Sequence, residues 1–160
     1  MLGVDRDGVG FGNISIRDGA TNSFYITGSA TGGLPTLALG DCARVSTVDF
    51  EKNWLRCEGL TVASAESLTH AALCAAEPSV QAVIHAHSHA IWTELCRNGA
   101  TTSADVEYGT PAMAREVARL FRDTDVKERR IFAMAGHEEG VIAFGRTLAE
   151  ALASLISCLA

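Results

Sequence analysis

The stretch "SVQAVIHAHSHAIW", residues 79–92, carries three of the chain's five histidines at two-residue intervals. Its backbone period decides which of them can act together. On a strand, residues two apart point to the same face, whereas on a helix the residues sharing a face are three or four apart. "VQAVIH" is a short apolar run of strand length. If that strand runs on to His87, then His85 and His87 stand side by side at its end. His89 follows Ser88, which reads as the N-cap of a helix through "SHAIWTELCRNG" that ends at an Asn-Gly break. His89 therefore faces elsewhere and is excluded as a partner of the other two.

The pattern on both sides of this stretch supports alternating strands and helices. Upstream, "SAESLTHAALCAAEP" sets Leu68, Ala71, Ala72, Leu73 and Ala75 at helical spacing, with Ser64 as N-cap and Pro78 as the stop. The first sixty residues are rich in Gly, Thr, Ser and Asp. They hold alternating runs such as "NISIR" and "SFYIT", then "DCARVSTVDFEKNWLRCEG", which reads as two strands around a turn near Phe50 to Asn53. Downstream, "TPAMAREVARLFRD" opens on Thr110 as cap and Pro111 at the first helical position. "RIFAMA" and "GVIAFG" read as a strand pair. "TLAEALASLISCL" is a closing helix with Thr147 and Glu150 spaced as a capping box. The expectation is one α/β domain over residues 1–160, with strands and helices interleaved.

Bulk composition narrows the function. The chain has 160 residues, 48% of them hydrophobic, enough for one sizeable core. Its formal net charge of -6 gives no electrostatic footprint for nucleic acid or an anionic membrane surface, so neither is expected as a partner. No run approaches the length of a membrane span, and "MLGVDRDGVGFGN" lacks the basic start and apolar core of a signal peptide. The five cysteines are widely spaced with no C-x-x-C pair, which suits a reducing cytoplasm.

His85 and His87 as a pair suit a metal, but an H-x-H alone is equally the pattern of exposed or hydrogen-bonded histidines. His137, in the glycine-flanked loop "AGHEEGVIAFG" between two predicted strands, is the candidate third ligand. Three neutral imidazoles leave one coordination position for substrate, as catalytic zinc sites do. Glu138 and Glu139 follow His137 and are candidates to touch the same site. Glu66 is either an ordinary first-turn glutamate favoured by the helix dipole or a functional carboxylate. His70, one turn further, reads as a plain helix-face histidine. "GFGNIS", "YITGSATGG" and "VASAES" offer backbone N–H groups and hydroxyls that can cradle a phosphate or carboxylate, or are simply turns.

In order along the chain stand G-N-I-S at 12–15, T-G-S at 27–29, S-A-E at 64–66, H-A-H at 85–87 and the His-containing glycine loop at 136–140. This series resembles the class II aldolase/adducin family, the fuculose-phosphate aldolase-like group, over almost the whole chain. The resemblance implies a three-layer α/β fold whose central, mostly antiparallel sheet is flanked by helices. It further implies a zinc (or other divalent cation) site made by His85, His87 and His137, and a homotetramer with active sites at subunit interfaces. Glu66 matches the acid/base, and Gly12, Asn13, Thr27, Gly28 and Ser64 match phosphate-binding positions. Tyr108, in "VEYG", stands where some members carry a proton-donating tyrosine.

The sequence departs from that pattern at three places. Ala65 stands where the motif usually has a second serine, Gly136 precedes the third histidine in place of asparagine, and the helix that usually precedes G-N-I-S is missing. The activity implied is reversible C–C cleavage of a small hydroxy-carbonyl compound, a sugar or sugar phosphate, through a metal-stabilised enediolate. The alternatives on the same fold are a dehydratase, an epimerase, a decarboxylase, or a non-catalytic adducin-like interaction module.

Overall fold

A computed structural model describes residues 2–4 and 10–159. Its strands, in chain order with the helices, are β1 (Gly3–Val4), β2 (Gly10–Phe11), β3 (Asn13–Arg17), β4 (Phe24–Thr27), β5 (Cys42–Asp49) and β6 (Trp54–Gly59). Then follow α1 (Ser67–Ala76), β7 (Ala82–His87), α2 (His89–Asn98), α3 (Pro111–Asp123), α4 (Val126–Arg129), β8 (Ile131–Ala133), β9 (Gly140–Gly145) and α5 (Leu148–Ser157). Seven strands form one sheet in the order β6-β5-β4-β3-β7-β9-β8, and every neighbouring pair is antiparallel. The segment before Asn13 carries the two-residue strands β1 and β2, paired with each other.

Alternation along β7 divides the two faces, as the period of a strand requires. Val83 joins a core with Leu73 of α1, Met113, Val117 and Leu120 of α3, and Phe132, Ile142 and Phe144 of the sheet. Ile84 and Ala86 point the other way, into a core with Ile91 and Leu95 of α2 and Ala151 and Leu155 of α5. Phe24, Ile26, Ala43 and Val45 extend the first face towards Ala71 of α1. This is the expected antiparallel sheet flanked by helices. His85 and His87 continue the row of Val83, so the strand delivers them to the end of the sheet on the α1 side.

Local signals located most helix ends. Ser88 accepts a bond from Ile91 N (3.4 Å), Thr110 from Met113 N (3.2 Å) and Thr147 from Glu150 N (3.1 Å), as N-caps do. The capping box at Thr147 does not close: Glu150 turns its carboxylate to Arg146 N and to the guanidinium groups of Arg130 and Arg146. Ser64 is not the N-cap of α1 either. That helix starts three residues later, with Glu66 in the cap position, and the Ser64 hydroxyl accepts from Glu66 N (3.3 Å) in a turn before it.

Two residues of β3 hold α1 in place. Ser15 Oγ lies 2.7 Å from His70 Nδ1. Buried Arg17 donates from Nε to Val80 O (2.9 Å) and from its terminal nitrogen to Cys74 O, at the carbonyl end of the helix. A cation there also meets the negative end of the helix dipole. The expectation of a plain helix-face histidine at 70 is thus wrong: His70 is fully buried (0% exposed), because α1 is covered on more than one side by sheet and by α3.

Candidate active site

The ends of β3 and β7, the start of α1 and the β8–β9 loop converge on a cleft of about 770 Å³. Asn13 pairs with His85 across the β3–β7 ladder, so both side chains rise on the same side. The β8–β9 loop is a tight turn in which His137 N donates to Met134 O (3.0 Å) and Gly140 N to His137 O (2.8 Å). A Cβ on Gly140 would come within 2.9 Å of that carbonyl oxygen and press into the His137 ring, so glycine is what lets the ring fold back over the turn.

His85, His87 and His137 each bring a ring nitrogen to one point, all within 4.8 Å of one another. Nε2 of His87 lies 3.2 Å from Nε2 of His85 and 3.1 Å from Nε2 of His137. Three nitrogens bound tetrahedrally to zinc at 2.0–2.1 Å would stand about 3.3 Å apart. The two separations from His87 match that value, and all three nitrogens lie close enough for a small divalent ion to draw them together. His85 Nδ1 donates to Val141 O (3.2 Å), which fixes the tautomer and leaves Nε2 as the free donor atom. Burial also keeps these rings neutral: it pushes His85 well below its ordinary value, lowers His87, and takes His137 to about 4, with the neighbouring imidazoles adding to the effect at His85 and His137. Neutral rings keep the lone pairs that a metal needs.

Glu66 sits against this cluster with Oε1 3.8 Å from His85 Nε2. It is only 4% exposed, and burial raises its pKa to about 7 against the lowering effect of a hydrogen bond from Thr69 Oγ1 (2.9 Å to Oε2). Glu66 stands at the N-cap of α1 rather than inside its first turn, and burial sets it apart from a solvent-facing glutamate. The Thr69 hydroxyl holds one carboxyl oxygen and leaves the other, Oε1, with no hydrogen-bond partner.

Gly12, Asn13, Gly28, Ser64 and Tyr108 also line the cleft. Tyr108 packs its ring 4.6 Å from that of His137, and Gly109 beside it takes a positive φ of 64° against the backbone of Ala65. Thr27 does not line the cleft. Its hydroxyl accepts from Ile14 N (3.1 Å) and stitches β4 to β3, since a strand's alternation turns it from the face that Gly28 presents. His89 lies outside the cluster, as expected, with Nδ1 3.7 Å from Glu139 Oε1 at the rim.

Sequence reasoning missed Phe11, whose ring covers His87 at 4.9 Å, and Thr69, which orients Glu66. An aromatic at the end of a glycine-rich segment carries no signal that it will meet a histidine far along the chain. Thr69 was findable, because it lies three residues after Glu66 on the same helix face. Glu139 lines the cleft, while Glu138 is not among its lining residues.

Solved structures share this fold. L-fuculose 1-phosphate aldolase superposes with a TM-score of 0.67 at 20% identity, over 92% of this chain and 72% of that one. YgbL of Escherichia coli, whose reaction is given only as aldolase/epimerase/decarboxylase, gives 0.66 at 20% identity over 91% and 73%. A sugar-phosphate aldolase from Thermotoga maritima gives 0.65 at 13% identity over 92% and 80%. Comparison with curated protein sequences finds no match. Identities this low speak for the fold alone, but residues 6–158 match the family described as Class II Aldolase and Adducin N-terminal domain, and the chain belongs to that family.

Proposed function

We propose that this protein is a divalent-metal-dependent lyase of the aldolase type, making or breaking a carbon–carbon bond in a small hydroxy-carbonyl compound. The observation that carries this reading is Glu66: a buried carboxyl with a pKa near 7, one oxygen of which lies 3.8 Å from the His85 nitrogen that faces the cluster. A divalent ion held by His85, His87 and His137 supplies Lewis acidity towards the carbonyl and hydroxyl oxygens of the substrate.

The remaining roles fall to the chain's own groups. Glu66 takes a proton from the substrate through Oε1 in one direction and returns it in the other. A carboxyl titrating near neutrality is present in both forms at working pH, which such an exchange requires. Thr69 restrains the carboxyl, Phe11 covers the His87 ring, and we assign to Tyr108 the donation of a proton to the aldehyde oxygen as the carbon–carbon bond forms, and its removal from that hydroxyl when the bond breaks. Gly12, Asn13, Gly28 and Ser64 form the wall that receives the rest of the substrate. Family likeness suggests zinc as the ion, a homo-oligomer, a tetramer among members, as the working form, and the cytoplasm as its setting.

A dehydratase, epimerase or decarboxylase would use the same residues, and product analysis separates them. A non-catalytic interaction module has no need of a neutral imidazole triad beside a carboxyl tuned to pH 7. The test is metal analysis of the full chain, paired with a retro-aldol and dehydration screen. One ion per chain and turnover of a hydroxy-carbonyl compound are expected, both lost in His85→Ala. Full metal content in that variant would sink the ligand assignment. A metal-loaded protein that turns over nothing would favour the interaction module.

A further inference from the structure

Beside the imidazoles the cleft presents an unpaired acceptor and no described cationic side chain. Asn13 is 5% exposed, lines the cleft, and its Oδ1 is buried with no hydrogen-bond partner. A buried acceptor left unpaired costs roughly 1–3 kcal/mol, so the site gains by receiving a donor there. A hydroxyl group can donate to it, whereas a phosphate dianion cannot.

Several of the amides that could cradle a phosphate are already engaged. Gly28 N donates to Asp41 O (2.8 Å) and Ser29 N to Val62 O (3.0 Å). The Ser29 hydroxyl donates to Ala63 O (3.3 Å), and at the start of α1 the amides of Glu66 and Ser67 are spent on Ser64. Between Ser64 and Glu66 the lining residue is Ala65, which presents a methyl group.

Charge points the same way. Among the described residues that line the cleft there is no lysine or arginine, while Glu66 and Glu139 both line it. A dianion brought close to an ionisable carboxyl in a partly desolvated cleft is repelled, and apart from an ion held by the imidazoles no described lining group offsets this.

Resting on the lyase reading above, we infer that the substrate is an unphosphorylated polyhydroxy carbonyl compound, with a hydroxyl that donates to Asn13 Oδ1 and accepts from the Ser64 hydroxyl. Asn13 and Ala65 then set specificity: the first selects a hydrogen-bond donor, and the second withholds the extra hydroxyl that an anion would use.

The test compares short ketoses with their 1-phosphates, L-fuculose and L-fuculose 1-phosphate among them, on the metal-loaded full chain. The free sugar is expected to exceed its phosphate by about tenfold or more in kcat/KM, as the loss of one well-made hydrogen bond would give. Inorganic phosphate at millimolar concentration is expected not to compete. Asn13→Ala should raise KM for the free sugar about tenfold, and Ala65→Ser, a second variant that does not disturb β3, should narrow the preference against phosphate. A phosphate ester used as well as the free sugar, or competitive inhibition by inorganic phosphate, overturns the inference. Calorimetric binding of the same pairs keeps the two readings apart. If no pair is turned over, the lyase reading falls, and tighter binding of the free or the phosphorylated sugar still decides this one.

Discussion

Ser15 Oγ and His70 Nδ1 meet at 2.7 Å between β3 and α1, in a place that solvent does not reach. Their bond ties the G-N-I-S strand to the helix turn that follows Glu66. Ser15→Ala leaves the imidazole nitrogen unpaired in the core and should lower stability by about 1–3 kcal/mol. Urea unfolding measures this, and metal content should be unchanged, because neither group belongs to the three imidazoles that converge.

Arg17 anchors the other end of the same helix through carbonyls of Cys74 and Val80. Arg17→Met keeps the bulk but strands those carbonyls, and removes a cation from the helix C-terminus. A loss of about 2–4 kcal/mol is expected, larger than for Ser15→Ala because the donor is charged. An equal or smaller loss would mean that packing rather than hydrogen bonding holds α1.

Glu66→Gln separates proton transfer from metal binding. The amide keeps the shape and can still accept from Thr69, so folding and metal content should persist, while turnover falls by about 10²–10⁴-fold. If the variant kept turnover within a few-fold of the parent, another group would have to be the base.

Gly140→Ala places a methyl against the His137 ring and its carbonyl. The loop must shift, and His137 Nε2 with it. Metal affinity is expected to fall by about tenfold or more, the range seen when a ligand loses its support, while the far-ultraviolet spectrum stays that of the parent. Metal titration of the two proteins side by side reads the difference.

Acid should destabilise the metal-free protein from near neutrality. Burial lowers His70 to about 3 and His85 well below its ordinary 6.5, so the unfolded chain binds protons that the folded chain refuses. The stability these two contribute is complete above pH 6.5 and is lost as pH falls below it. Glu66 opposes them: its folded pKa is raised from 4.5 to about 7, so its contribution is fullest below 4.5 and is lost as pH rises to 7. Two imidazoles against one carboxyl leave the unfolded chain holding more protons than the folded one between pH 4.5 and 6.5, so stability falls towards acid over that range. His87 and His137 steepen the fall, being lowered as well. Thermal melts of chelator-treated protein across that range check the sign, and a flat or rising profile towards acid would refute it.

The imidazole pair of β7 was legible because two-residue periodicity is local, and the same holds for the caps at Ser88, Thr110 and Thr147. Where a local rule failed, a longer-range contact had won. Glu150 left the capping box for Arg130 and Arg146, and α1 began after Ser64 because Glu66 is drawn into the cleft. Thr27 belongs to a recognisable motif, yet its hydroxyl serves the β3–β4 junction.

What the sequence determined by itself was therefore the order of strands and helices, the shared face of His85 and His87, and the exclusion of His89. Each follows from the period and end signals of one segment. Only the tertiary structure decided that His137 closes on His87 from fifty residues away, that Glu66 and His70 lose their solvent, and that the Gly28 and Ser29 amides are spent inside the fold. Burial and hydrogen-bond pairing belong to contacts between distant segments. No local pattern encodes them, and on them rest both the burial of Glu66 and the inferred preference for a hydroxyl over a phosphate.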